Sequence, residues 1–223
     1  MPIAIRPAVL ADAAALLDIK DRLRLRLEAA ASQRLGGFLL GTSLHEYQQF
    51  IQHDVVLVAE SECPRQVVGF AIVMQHDTLM QSELLKRAEQ VQWEAAFHQR
   101  FDARRLAFFE QLGMLPDATY RVYAKYLAFS ITWQILQTHE ALFTTVLQYP
   151  FVNTAALSFI KVVGFEPVGV VDEVYPEYGR IKSDVYHLER QTFERHIDQP
   201  RFKVFLERAR RAGYLAMKQW SGS

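Results

Sequence analysis

The stretch from Leu106 to Phe165 limits most sharply what this chain can become. Two strand-like runs, Ala107–Leu115 and Leu142–Tyr149, each lead into a helical pattern. Between the first run and its helix lies a turn carrying Pro116, Asp117, Arg121 and Lys125. After the second run, Pro150 and Asn153 open a helix that stops at Gly164. The order strand, cationic turn, helix, strand, helix is a βαβα unit. Such a unit can offer the N-terminus of a helix, with its unpaired N–H groups, to a phosphate-bearing ligand.

Composition narrows the partners. The chain has 223 residues, half of them hydrophobic, which is ample material for one large core. Lys plus Arg equals Asp plus Glu, so no global field draws it to nucleic acid or anionic lipid. The single Cys63 excludes an internal disulfide framework and fits a reducing compartment; in the turn-like SECPRQ it reads as an incidental thiol. The longest apolar candidate, Tyr126–Leu136, is too short for a membrane span and contains Ser130, Thr132 and Gln134. Asp12 interrupts the apolar run near the N-terminus, against a signal peptide. The expectation is a cytoplasmic protein without membrane or nucleic-acid partners.

Ahead of the central unit, Ile3–Ile5 is a short strand and Asp12 a candidate N-cap. Leu16, Ile19, Leu23 and Leu27 recur at helical spacing, and Gly36, Gly37 and Gly41 bracket a loop. Ser43 and Glu46 have capping-box spacing for a helix running to about His53. Val55–Glu60 and Val67–Gln75 read as a hairpin, with Gly69 marking a bulge or a close backbone approach. Residues 76–105 read as a helical insertion, one long helix or two short ones, with a stripe of Leu84, Ala88, Val91 and Ala95. That insertion either covers a sheet edge or forms a lid or substrate-selecting wall. Beyond Phe165, Glu166–Val174 and Ile181–Leu188 form a hairpin around the turn 175–179. Residues 191–223 read as a helical extension packed on the 1–190 domain through Phe202, Phe205, Leu206 and Ala209. A subunit contact there, as in a homodimer, is the secondary reading.

Taken together, the element order resembles the GNAT superfamily of N-acyltransferases. Four segments carry the resemblance: IRPAVLADAAALLDI, VVGFAIV, LGMLPDATYR and NTAALSFIKVVGF. It implies an α/β fold with a mixed sheet, and an enzyme passing an acetyl group from acetyl-CoA, or another acyl group from its CoA thioester, to the amine of a small molecule or protein. It also implies that the strand residues Leu112, Gly113, Met114 and Leu115 pair with the pantetheine arm. The turn Arg121, Val122, Tyr123, Ala124, Lys125 and Tyr126 would hold the pyrophosphate, and Asn153 would contact the arm. Independently of the family, a diphosphate needs clustered N–H donors and the positive end of a helix dipole, to which Arg121 and Lys125 add charge.

Three positions depart from the family pattern. Ala124 and Tyr126 stand where the pyrophosphate turn usually has small residues, and Ile160 stands where a tyrosine often protonates the leaving thiolate. Tyr123 and Tyr126 are substitute acids only by proximity in sequence. Glu110, just before the cofactor-pairing residues, is the candidate general base; Gln111 alternates to the other face. Tyr186 and His187 are weaker candidates at the border of the acceptor site. No His, Cys or carboxylate spacing suggests a metal site. Two alternatives stand beside the acetyltransferase: a binding or regulatory protein that keeps the fold without turnover, and a transferase using a longer acyl thioester.

Overall fold

The computed structural model describes residues 3–23, 41–94, 97, 105–175, 179–211 and 213. The expected loop at Gly36–Leu40, Leu27, Ala95, residues 176–178 of the C-terminal turn and the last ten residues of the extension lie outside the described residues. Among the described residues eight strands form one mixed sheet: β1 (Ile3–Pro7), β2 (Val55–Glu62), β3 (Arg65–Met74), β4 (Gln92–Trp93), β5 (Leu106–Met114), β6 (Ala141–Tyr149), β7 (Glu166–Tyr175) and β8 (Gly179–Glu189). Their spatial order is β1-β2-β3-β5-β6-β8-β7-β4. All neighbours are antiparallel except the central pair β5 and β6. This is the α/β mixed sheet expected from the sequence.

Helices cover both faces. On one face lies α5 (Arg121–Ile135), the crossover between the two parallel strands, with α6 (Thr154–Val163), α7 (Arg190–Ile197) and α8 (Pro200–Arg211). On the other lie α1 (Ala13–Arg22) and α2 (Leu44–His53), and beside them the insertion with α3 (His76–Gln81) and α4 (Glu83–Arg87). The apolar run in α5 has its explanation here. Leu127–Thr132 and Ile135 are buried because α5 is sandwiched between the sheet and the C-terminal helices. Phe129 meets Phe193 of α7 at 5.6 Å and Phe205 of α8 at 5.2 Å between ring centroids. The expected stripe on α8 is the packed one, with Phe202, Leu206 and Ala209 buried. No helix among the described residues is long and apolar enough to cross a membrane.

Local chemistry sets several boundaries. Ser43 Oγ accepts from the Glu46 N–H at 3.3 Å, and Glu46 Oε2 accepts from the Ser43 N–H at 2.7 Å, so α2 begins with the expected capping box. Asp12 acts differently from expectation. Its carboxylate accepts from the Val9 N–H and from Arg6, and gives α1 no side-chain cap. Gly69 is a close approach: a Cβ there would lie 2.5 Å from Met114 Cε and 2.9 Å from the Gly113 carbonyl oxygen. Gly164 ends α6 in the left-handed region at φ 94°.

The insertion takes the second of its two expected forms, two short helices, and adds a strand that was not expected. Two short helices separated at Ser82, whose backbone is extended, lead into a 3-10 turn, Ala88–Gln90, and then into β4. The helical stripe breaks because Gln92 and Trp93 pair with Val170 and Gly169 of β7. Gly169 permits this, since a Cβ there would lie 2.9 Å from Val91 Cγ1 and 3.0 Å from the Gln92 carbonyl oxygen. The insertion therefore covers a sheet edge, and, as described next, also walls a cleft.

Candidate active site

The central parallel pair is short. Leu106, Ala107 and Phe108 pair with Ala141, Leu142 and Phe143, and the pairing of β5 with β6 is confined to those three positions. At the next position the hydroxyl of Thr144 donates to the Phe109 carbonyl at 3.0 Å. Beyond this fork each strand holds only its outer neighbour: β5 stays on β3, and β6 stays on β8. A cleft of about 1280 Å³ fills the gap, larger than a typical drug-sized pocket.

Glu110 sits at the fork for a specific reason. Val73 pairs with Phe109 and Ile72 with Gln111, which leaves Glu110 as the extra residue of a β-bulge. The bulge interrupts the strict alternation expected for this pair of residues, and both Glu110 and Gln111 line the cleft. Glu110 is half-buried. Burial pushes its carboxyl above the usual carboxylate range; the Gln111 hydrogen bond and the Arg87 charge oppose this, while Asp54 and Glu46 add to it. Gln111 is fixed from two sides, accepting from the Tyr47 hydroxyl at 2.9 Å and donating to Thr42 Oγ1 at 2.7 Å. Gln111, with no titrating proton of its own, serves as scaffolding beside the carboxylate.

At one end of the cleft is the turn between β5 and α5. Leu112, Met114, Leu115, Arg121, Ala124 and Lys125 line it, and Asn153 does so from the start of α6. The first turn of α5 has no acidic residue and its N-cap, Tyr120, contributes no side-chain hydrogen bond. Arg121 and Lys125 are exposed and form no ion pair among the described residues. Positive charge beside a helix N-terminus is the reverse of what stabilises an isolated helix and suits an anionic ligand. Asn153 Oδ1 accepts from the Ala156 N–H at 3.1 Å and so caps α6 while its side chain borders the cleft.

Val122, Tyr123 and Tyr126 do not line the cleft with their side chains. Val122 is exposed to solvent. Tyr126 stacks on Phe205 of α8, with ring centroids 4.7 Å apart and planes 9° off parallel, and Tyr123 packs against the same core. The bulky residue of the turn therefore leans outward. Gly113 faces Phe70 and likewise does not border the cleft. Ile160 borders it and is buried. Tyr186 is buried in the core beneath α5, and His187 lies between Phe97 and Phe143 at 4.9 and 4.8 Å; neither reaches the cleft. Among the described residues no group of His, Cys, Asp and Glu could hold a metal ion.

The sequence offered the insertion as a wall, but the partners that complete the far side of the cleft were not readable in it. There α2, the insertion and β7 supply Glu46, Phe50, Leu79, Leu84, Arg87 and Tyr175. Arg87 pairs with Glu173 at 3.4 Å and donates to the Tyr175 hydroxyl at 3.2 Å, tying the insertion to β7 at the mouth.

No protein-family model matches the chain, and no curated protein sequence does. Solved structures do match. Arabidopsis thaliana NAA60, solved with a bisubstrate analogue, is 16% identical, with a TM-score of 0.57 over 84% of this chain and 97% of that one. A ribosomal-protein-alanine N-acetyltransferase from Brucella melitensis is 19% identical, with a TM-score of 0.52 over 83% and 99%. The yncA protein of Salmonella typhimurium, solved with its cofactor acetyl-CoA, is 15% identical, with a TM-score of 0.54 over 85% and 95%. The mixed sheet parted at one short parallel seam thus has the fold of these N-acetyltransferase structures.

Proposed function

We propose that the protein is an N-acyltransferase that moves an acetyl group from acetyl-CoA to an amine. The observation that carries this reading is the fork between β5 and β6 at the cationic start of α5. A strand edge released at that point offers backbone groups to an extended amide-bearing arm, and the α5 N-terminus with Arg121 and Lys125 suits a diphosphate. Leu112, Met114 and Leu115 would flank the arm, and the backbone of Arg121–Tyr126 together with Asn153 would hold its phosphate end. Crystallised relatives in fold that carry acetyl-CoA or a bisubstrate analogue support the same assignment. A reducing, cytoplasmic setting suits the exposed thiol of Cys63.

In this reading Glu110 is the general base. An amine nitrogen adds to the thioester carbon, the C–N bond forms, and the C–S bond breaks. Glu110 takes the proton released by nitrogen, directly or through one water. Its raised pKa strengthens it as a base. The leaving thiolate takes its proton from solvent, because Ile160 has none to give and Tyr123 and Tyr126 point away.

Calorimetric titration of acetyl-CoA into the protein, with native mass spectrometry for a co-purified CoA species, tests the proposal. Binding that weakens on double substitution Arg121→Glu and Lys125→Glu is expected. Absence of binding to any CoA thioester at high ligand concentration would overturn it.

A further inference from the structure

The cleft has two chemically different halves, and the second one bears on the acceptor. Behind Glu110, away from α5, its walls are Leu79, Leu84, Val91, Trp93, Phe108 and Phe143. Phe143 meets the Trp93 ring edge-on at 6.5 Å, and Trp93 stacks on Phe97 at 5.5 Å. The indole N–H of Trp93 is taken up by the Ala88 carbonyl at 3.1 Å, so the ring offers this chamber an apolar surface.

The charges on this half are nearly all engaged. Arg87 pairs with Glu173, whose carboxylate also accepts from the Tyr175 hydroxyl. Glu83 pairs with Lys86, and Glu46 is held by the α2 capping box. Glu110 forms no ion pair among the described residues. A single unpaired carboxylate set in an aromatic and aliphatic chamber complements one ammonium group on an apolar body. The other carboxylates of the cleft, already engaged, are poorly placed to meet the further charges of a polyamine, and the six apolar walls give no partner to the hydroxyls of an amino sugar. An acyl chain has no use for the carboxylate, which favours the acceptor as the occupant.

Building on the proposed acyl transfer, we infer that the acceptor is a hydrophobic monoamine, an aryl- or alkyl-substituted primary amine whose apolar part sits in this chamber with its nitrogen at Glu110.

The test uses the full chain saturated with CoA, which cannot transfer an acyl group, so binding is read without turnover. Calorimetry then compares 2-phenylethylamine, ethanolamine and spermidine. The expected result is 2-phenylethylamine binding at least about tenfold more tightly than ethanolamine, as removal of a ring from an apolar pocket implies. Leu84→Ser, at a half-buried wall position outside the sheet, should erase most of that preference and leave CoA affinity intact; Trp93→Ala is the second variant. Equal affinities, no amine binding, or tightest binding of spermidine would overturn the inference. So would octanoyl-CoA binding tenfold more tightly than acetyl-CoA with that advantage lost in Leu84→Ser, since the chamber would then hold the acyl chain. Failure of CoA itself to bind would sink the transferase reading instead, and is seen before any amine is added.

Discussion

His139 makes the protein's acid stability a quantitative matter. Its ring is fully buried just beyond α5. Nε2 accepts from the His76 N–H at 3.3 Å, while Nδ1 lies 2.9 Å from Thr138 Oγ1 and 3.3 Å from the Ile135 carbonyl oxygen. His76 in turn accepts from the Leu106 N–H through Nδ1 at 3.2 Å, so the pair of histidines joins the start of the insertion to the start of β5. A second proton on His139 would set N–H against N–H. Burial, with smaller contributions from Arg105 and His76, pushes its pKa down to about 4; the Ile135 carbonyl and Asp77 oppose this weakly. The unfolded chain therefore binds the proton more readily than the folded one between about pH 6.5 and 4. The stabilisation is complete above that window and is lost as the pH falls through it. Linkage gives a loss of about 2 kcal/mol between neutral pH and pH 5. For a chain of this size that lowers Tm by about 4–8 °C. Thermal melts at pH 7.5 and 5.0 of the natural protein and of His139→Gln, whose amide oxygen can still accept from His76, isolate the effect. Asp54 and Glu110, raised by burial, shift stability the opposite way but equally in both proteins. An identical loss of Tm in the two proteins would refute the reasoning.

Three further outcomes are expected. Glu110→Gln lowers kcat/KM for acetyl transfer by about 10²–10⁴-fold, as loss of a general base does, yet raises Tm at neutral pH, because a buried carboxylate no longer has to ionise; unchanged transfer would remove Glu110 from the mechanism. Gly164→Ala costs about 1–3 kcal/mol in chemical denaturation, since φ is 94° and the added Cβ meets the His196 ring at 2.7 Å. Tyr126→Ala lowers Tm by removing a ring pair worth about 0.5–1.5 kcal/mol beyond its buried area, with acetyl-CoA affinity unchanged; a large change in affinity would mean that the side chain does reach the donor.

The order of elements was legible because each leaves a local trace. The Ser43–Glu46 capping box, the alternation of β8 and the stop at Gly164 all lie within a few residues of the structure they specify. What escaped depends on distant partners. The bulge at Glu110 exists only against the register of β3. Tyr126 leans outward because Phe205, on a helix at the other end of the chain, receives it. The helical stripe in the insertion yields to two backbone pairings with β7, a contact no periodicity records. The cationic residues of the α5 turn were visible early, whereas the chamber behind Glu110 draws on α2, α3, α4, β4 and β6, and no single segment shows it.

The seam between β5 and β6 has a consequence for how the molecule comes apart. On either side of it the sheet is built from antiparallel neighbours, β1-β2-β3-β5 and β6-β8-β7-β4. Among the described residues three pairs join the two halves through the sheet, and α5 must cross over before they can form. Each half is a candidate cooperative unit, and the seam is where protection against amide hydrogen exchange should change from one unit's level to the other's. The short join that opens the cleft thus also sets the boundary along which partial unfolding spreads or stops.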